Sequence, residues 1–146
     1  MTRRLAAFPL VAFFALVALP AAALEGDKYQ TLLTPMLSAD TDILGQPVAY
    51  PAGAAKVTAA TITIPVGGET GWHLHSVPLF AYILEGELTV DYGSKGMKVY
   101  KAGDSFMEAM NWNHNGMNKG TVPAKLIAVY MGGGDKANTA KEAGPQ

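Results

Sequence analysis

The sequence predicts an all-β domain, an antiparallel sandwich or barrel with a short N-terminal arm or helix. Three observations carry that prediction. Runs of β-branched and aromatic residues recur from Lys56 to Met131. Glycine, proline and Asn/Asp turn signals interrupt them every five to twelve residues. Only one stretch, near the N-terminus, competes as helix, and no internal repeat or second domain is apparent. Many short strands with closely spaced turns read as a sandwich or barrel.

The elements follow in order. Residues 1–23 carry Arg3 and Arg4, an apolar run from Leu5 to Leu19 broken only by Pro9, then Pro20 and Ala21-Ala22-Ala23. That is the layout of a secretory signal peptide, with the expected cut before Leu24. The run falls short of the ~20 residues that span a bilayer, so no membrane segment is expected after cleavage. Residues 24–45 form an arm with an apolar patch at Leu32, Leu33, Met36 and Leu37, where Pro35 interrupts any long helix. The barrel is expected over 46–134. Its first short strand is Gln46 to Tyr50, followed by the β-branched run Lys56 to Pro65.

A short extended piece at Trp72–His75 comes next, then an apolar run from Pro78 to Leu84. Glu87 to Tyr92 alternates at period two, Asp91 to Gly96 turns, and Lys98 to Lys101 pairs back. Ser105–Glu108, Trp112–Asn115 and Ala124–Met131 supply the remaining strands, and Gly132 to Gly134 ends them. Residues 135–146 read as a flexible tail.

Composition narrows the function. Both arginines lie in the leader, leaving nine lysines against twelve acidic residues, a balance of −3. No basic patch points to nucleic acid. Without arginine, the usual bidentate clamp for carboxylate or phosphate is missing, although lysine can still serve. There is no cysteine, so thiolate metal sites and disulfides are excluded. No Gly-x-Ser-x-Gly elbow occurs.

All three histidines lie within one 42-residue window: the pair His73-x-His75, and His114. In a strand, residues i and i+2 share a face, so His73 and His75 present two imidazoles together. A neighbouring strand bearing His114 would complete a triangle with open positions opposite, as a catalytic metal requires. A divalent transition metal is the expected cofactor. Met107, Met110 and Met117 bracket His114, and thioethers add copper to the options. Glu108 shares parity with Phe106 and can point inward, as a base or as a partner of a ligand imidazole. Trp72, Ala81 and Trp112 are expected to line the pocket, Trp112 because it shares the parity of His114.

The run Gly67 to Gly86, GGETGWHLHSVPLFAYILEG, resembles the first motif of the cupins: Gly67, His73, His75 and Gly86 match in spacing. The run Gly103 to Asn118, GDSFMEAMNWNHNGMN, is similar to the second, with Gly103, His114 and Asn118 in register. The resemblance covers Ile64 to roughly Met131 and implies a jelly-roll barrel. It also implies a metal (Fe, Mn, Ni or Zn) on His73, His75 and His114. Two departures stand out. At the position of the family's ligating Glu the chain has Leu79, with Phe80 as the one-residue-longer alternative, and the second motif's Pro and Gly become Ala109 and Asn111.

Three neutral ligands leave the ion its full charge. This favours an anionic chelating substrate, or dioxygen beside substrate, as in the three-histidine dioxygenases of the family. The expectation is therefore a periplasmic or secreted dioxygenase-like oxidoreductase acting on a small apolar or oxygen-chelating compound. The alternatives are a non-catalytic small-molecule or metal-binding module, and an isomerase or lyase using Glu108 as base. Cupins often pair as homodimers, and residues 24–50 could supply an exchanged arm.

Overall fold

The computed structural model describes residues 25–146, with side chains from residue 29 onward; the expected leader, 1–23, lies outside them. The helix of the arm is α1, Glu25–Leu32. It closes with the Leu33 amide on the Gln30 carbonyl, two residues before Pro35. No helix among the described residues is long and apolar enough to cross a membrane.

Pro35 to Gln146 forms a compact unit built of nine antiparallel strands. They are β1 (Ala55–Ile64), β2 (His73–Leu74), β3 (Leu79–Glu85), β4 (Glu87–Asp91), β5 (Met97–Lys101), β6 (Ser105–Met107), β7 (Asn115–Met117), β8 (Ala124–Gly133) and β9 (Ala140–Lys141). One sheet runs β1-β8-β3-β6, a second β5-β4-β7, and β2 pairs with β9. Bridges from Glu69 to Met117 and from His73 to His114 lay the β2 region against the β7 edge. The architecture is an antiparallel jelly-roll barrel: the strand pattern predicts an antiparallel sandwich or barrel, and the cupin resemblance implies the jelly roll.

Alternation fills the barrel. In β3 the odd residues Leu79, Ala81 and Ile83 are buried, and in β8 the even residues Ala124, Leu126 and Ala128 are. Leu88 and Val90 of β4 and Phe106 of β6 close the core from the other side. Each large apolar side chain so buried contributes about 1.5–3 kcal/mol. Ala81 and Ala128 are cross-strand partners, and two methyl groups at the centre leave space that larger residues would fill.

Two turns show why particular residues stand where they do. Gly86 has φ +72°, and a Cβ there would lie 2.5 Å from the Pro123 carbonyl oxygen. Asn111 replaces a family glycine yet holds φ +52°, a left-handed conformation that asparagine tolerates better than most residues.

Two expectations need correction. Gln46–Tyr50 is not a strand; a single bridge, Thr41 to Pro47, is all that forms. The buried Asp42 accepts from the Leu44, Gln46 and Met110 amides, so residues 40–48 form a tight turn fastened to the loop before His114. Pro47 and Pro51 remove ladder donors in that stretch. Residues 135–146, expected as a mobile tail, are instead docked. β9 pairs with β2, the Glu142 amide bonds Trp72, and the Gly144 carbonyl accepts from the Asn113 side chain.

Candidate metal centre

His73 opens β2, His75 lies two residues on, and His114 directly precedes β7. The His73 and His114 backbones bond each other reciprocally at 3.0 and 2.9 Å, and the Asn111 amide bonds the His75 carbonyl at 2.8 Å. These bonds carry three imidazoles to one point. The ring centroids lie 4.4–5.0 Å apart, and one potential ligand atom from each histidine lies within 4.8 Å of the others.

The orientation of each ring is fixed in the same way. Nδ1 of His73 lies 2.8 Å from the Gly71 carbonyl, Nδ1 of His75 2.8 Å from the Asn138 carbonyl, and Nδ1 of His114 2.8 Å from the Trp112 carbonyl. A carbonyl only accepts, so each Nδ1 carries the hydrogen. Burial depresses all three histidines below their ordinary pKa, His75 to about 3. The rings are thus neutral at pH 7, and each Nε2 offers a lone pair. Nε2 of His114 is buried with no hydrogen-bond partner, a costly arrangement that a bound ion would relieve.

An ion bound at about 2.0–2.1 Å by each nitrogen needs separations below roughly 4.2 Å, so the rings fit after a small inward shift. The donor set suits a divalent transition ion, and His73, His75 and His114 are the residues that would hold it.

Glu108 faces this cluster. It lies just beyond β6, is buried, and has its Oε2 3.8 Å from His114 Nε2. Its Oε1 accepts from the Tyr92 hydroxyl at 2.8 Å and the Ala109 amide at 2.7 Å, leaving Oε2 turned toward the histidines. Burial raises the carboxyl pKa to about 7, against the pull of those two donors. Near neutrality the group therefore divides between acid and carboxylate. The contact with the neutral His114 is not a salt bridge. Tyr92 is buried and its hydroxyl also meets that of Tyr100 at 3.2 Å; burial and the neighbouring carboxylate raise its pKa.

Two spaces meet at the histidines. Behind them lies an apolar cavity of about 50 Å³, lined by Leu79, Ala81, Leu88, Phe106, Leu126 and Ala128 among others. In front is an open vestibule of about 430 Å³, bordered by Thr70, Trp72, Tyr130, Thr139, Lys141 and Glu142. Tyr130 and both His73 and His75 line both spaces.

Ala81 therefore lines the inner cavity and Trp72 the vestibule, but Trp112 lines neither. Its indole nitrogen donates to the Tyr92 carbonyl at 2.9 Å, and the Lys95 ammonium sits 5.4 Å from the ring centroid. The parity argument fails because the chain bends at Asn111 and Trp112, so no continuous strand carries Trp112 into His114. Leu79, not Phe80, takes the inward position of the family carboxylate: it is buried against the cavity, while Phe80 faces the other side of β3. Tyr92, Tyr130, Asn138 and Lys141 escape the sequence reading. Tyr92 ends an alternating strand pattern, which is a signal for burial but not for a site. The other three become site residues only once β8 and the C-terminus close over β2.

An antiparallel jelly-roll barrel that carries three histidines placed to hold a divalent ion is the class that the fold and the site define. Residues 60–130 match the family described as Cupin domain, and through them this chain belongs to the cupins. The oxalate decarboxylase of Lactobacillus farciminis, in a formate complex, is similar at 21% identity and a TM-score of 0.51. The match covers 58% of this chain and 26% of that one. The DMSP lyase DddQ of Ruegeria pomeroyi is similar at 18% identity and a TM-score of 0.52, over 66% of this chain and 46% of that one. This chain thus spans less than half the length of either. Among curated proteins none matches.

Proposed function

We propose that this cupin is an exported, metal-dependent oxidoreductase of the dioxygenase type, acting on a small anionic compound that chelates through oxygen. The observation that carries the reading is the set of three neutral imidazoles, each committed through Nδ1 to a backbone carbonyl, with Nε2 free. A divalent ion held there would supply Lewis acidity and open positions for substrate oxygen and dioxygen.

The chain's own residues provide the rest. The cavity behind the triad is walled mostly by apolar side chains and, at about 50 Å³, suits a diatomic gas better than an organic substrate. The vestibule admits the larger partner. Lys141 is the cross-strand partner of His73 and the cationic residue lining the vestibule. It replaces the missing arginine as the recogniser of an anionic group. Glu108 can take or return a proton through Oε2 beside His114. Export rests on residues 1–23, whose charge and apolar layout belong to a secretory leader.

A second reading, a lyase or isomerase, is favoured by Glu108 itself: a buried carboxyl poised near pH 7 is a proton-transfer group. The similar structures named as a decarboxylase and a lyase are too distant in sequence to add to that. Protein loaded with iron(II), manganese(II) or zinc(II) separates these readings when mixed with catechols, diketones, thiols and small dicarboxylates. Oxygen uptake matched to product formation supports the dioxygenase. Product formed equally well without oxygen supports the lyase. Tight binding with no turnover points to a non-catalytic binding module.

A further inference from the structure

The last twelve residues contact the metal-ligand loops at several points, although nothing in their composition marks them. The Asn138 carbonyl is the 2.8 Å acceptor of the His75 Nδ1 hydrogen. Thr139 Oγ1 lies 3.2 Å from the same nitrogen. His73 and Gly71, and likewise His114 and Trp112, find their carbonyls two residues away in sequence, but His75 reaches across 63 residues for its own. One ligand in three is therefore oriented by a segment outside the matched domain, which ends at residue 130.

That segment is fastened at four places. Ala140 and Lys141 pair with Leu74 and His73. The Glu142 amide donates to the Trp72 carbonyl at 2.9 Å. Ser76 Oγ donates to the Ala137 carbonyl at 3.2 Å, and Asn113 Nδ2 donates to the Gly144 carbonyl at 2.8 Å. The anchors are Trp72, the β2 pair, Ser76 and Asn113, so they flank all three histidines. Thr139, Lys141 and Glu142 at the same time form one wall of the vestibule.

We propose that residues 135–146 are a working strap of the centre, in which Asn138 is a positioning residue acting through its carbonyl on His75, and whose β9 portion walls the ligand entrance. Without the strap, His75 would keep its place in the chain but lose the acceptor that fixes its tautomer and ring orientation. Nε2–H and Nδ1–H forms would then compete, and the Nε2–H form cannot ligate through Nε2. Outer partners of metal-binding imidazoles are worth about 10–100-fold in affinity. The inference rests on the metal reading for its affinity arm but not for its tautomer arm.

The test uses the full chain carrying Ala140→Pro together with Glu142→Pro, which removes the β9 pairing and the donor to Trp72 while leaving the matched domain untouched. Ser76→Ala is the milder companion, should the double variant fold poorly. Long-range proton–nitrogen NMR of the metal-free protein reads the tautomer of each imidazole. Zinc titration by calorimetry reads affinity. The expected result is that all three histidines of the unaltered protein are Nδ1–H. In the double variant His75 alone shifts to a tautomer mixture, and zinc affinity falls about 10–100-fold; Ser76→Ala moves both readouts the same way by less. An unchanged His75 signal in a folded double variant overturns the proposal. If the unaltered protein binds no zinc, manganese or iron, the metal reading falls, and the His75 signal alone still decides the strap.

Discussion

Glu108 Oε2 lies 3.8 Å from His114 Nε2, and both side chains are buried. The carboxylate missing from β3, where Leu79 stands, is thus matched by one that approaches the same cluster from the end of β6. Its other oxygen accepts from Tyr92 and Ala109, so Oε2 is the oxygen turned toward His114. Several outcomes can be stated from this arrangement.

The first concerns pH in the metal-free protein. Glu108 is raised from 4.5 to about 7. It therefore binds a proton more tightly folded than unfolded, and its contribution is fully present below pH 4.5 and lost as pH rises through about 7. His75, lowered from 6.5 to about 3, works in the opposite sense: stability falls as pH drops from 6.5 toward 3. Glu108→Gln removes only the first effect. The melting temperature of the EDTA-treated variant, relative to the parent, should climb between pH 4.5 and 7, by an amount equivalent to a few kcal/mol. A difference that stays constant across that range would mean that Glu108 does not titrate there.

Metal binding should depend unequally on its neighbours. His73→Ala, His75→Ala and His114→Ala each remove a ligand and should cost more than the ~100-fold upper range for outer partners, leaving protein without metal after dialysis. Trp112→Phe removes only an indole donor to the Tyr92 carbonyl and should leave metal content unchanged. Elemental analysis of the four variants decides the matter. Stoichiometric metal in His114→Ala would place the ion elsewhere.

The left-handed turn at Asn111 gives a stability prediction. Asn111→Gly relieves φ +52° and should be neutral or slightly stabilising, whereas Asn111→Val should cost about 1–3 kcal/mol. The Asn111 amide bonds the His75 carbonyl, so the valine variant should weaken zinc binding as well. Urea denaturation with a parallel zinc titration checks both. Equal stability of the glycine and valine variants would remove the argument.

What the sequence reveals, and what it hides, follows from the range of each interaction. Strand alternation in Glu87–Tyr92 and Ala124–Met131 is local, so β4 and β8 can be read directly. His73 and His75 share a face by the period of a strand. Asn118 fits its motif position because it is a clamp: buried, it donates to the Ile64 and Val122 carbonyls and accepts from the Gly120 amide. Parity stops at a bend, which is why Trp112 is misplaced. The C-terminal strap is illegible for another reason. Its bonds to His75, Trp72 and Asn113 are mostly made by backbone groups, which every residue carries, so its composition resembles that of a loose tail.

Restoring the family carboxylate offers a sharper test of the centre than deleting ligands. Leu79 is buried and lines the inner cavity. Leu79→Glu would place a second carboxyl in an apolar space that already holds Glu108. Without metal, two buried acids must share the site, and burying such a group without a partner costs several kcal/mol; the metal-free variant should melt well below the parent. An ion on the three histidines would pair with the new carboxylate and recover that loss. The melting temperature gained on adding manganese(II) or zinc(II) should therefore be larger in Leu79→Glu than in the parent, and the affinity at least equal. A variant destabilised to the same extent with and without metal would show that position 79 does not face the ion, and would leave the three histidines without the geometry argued for them.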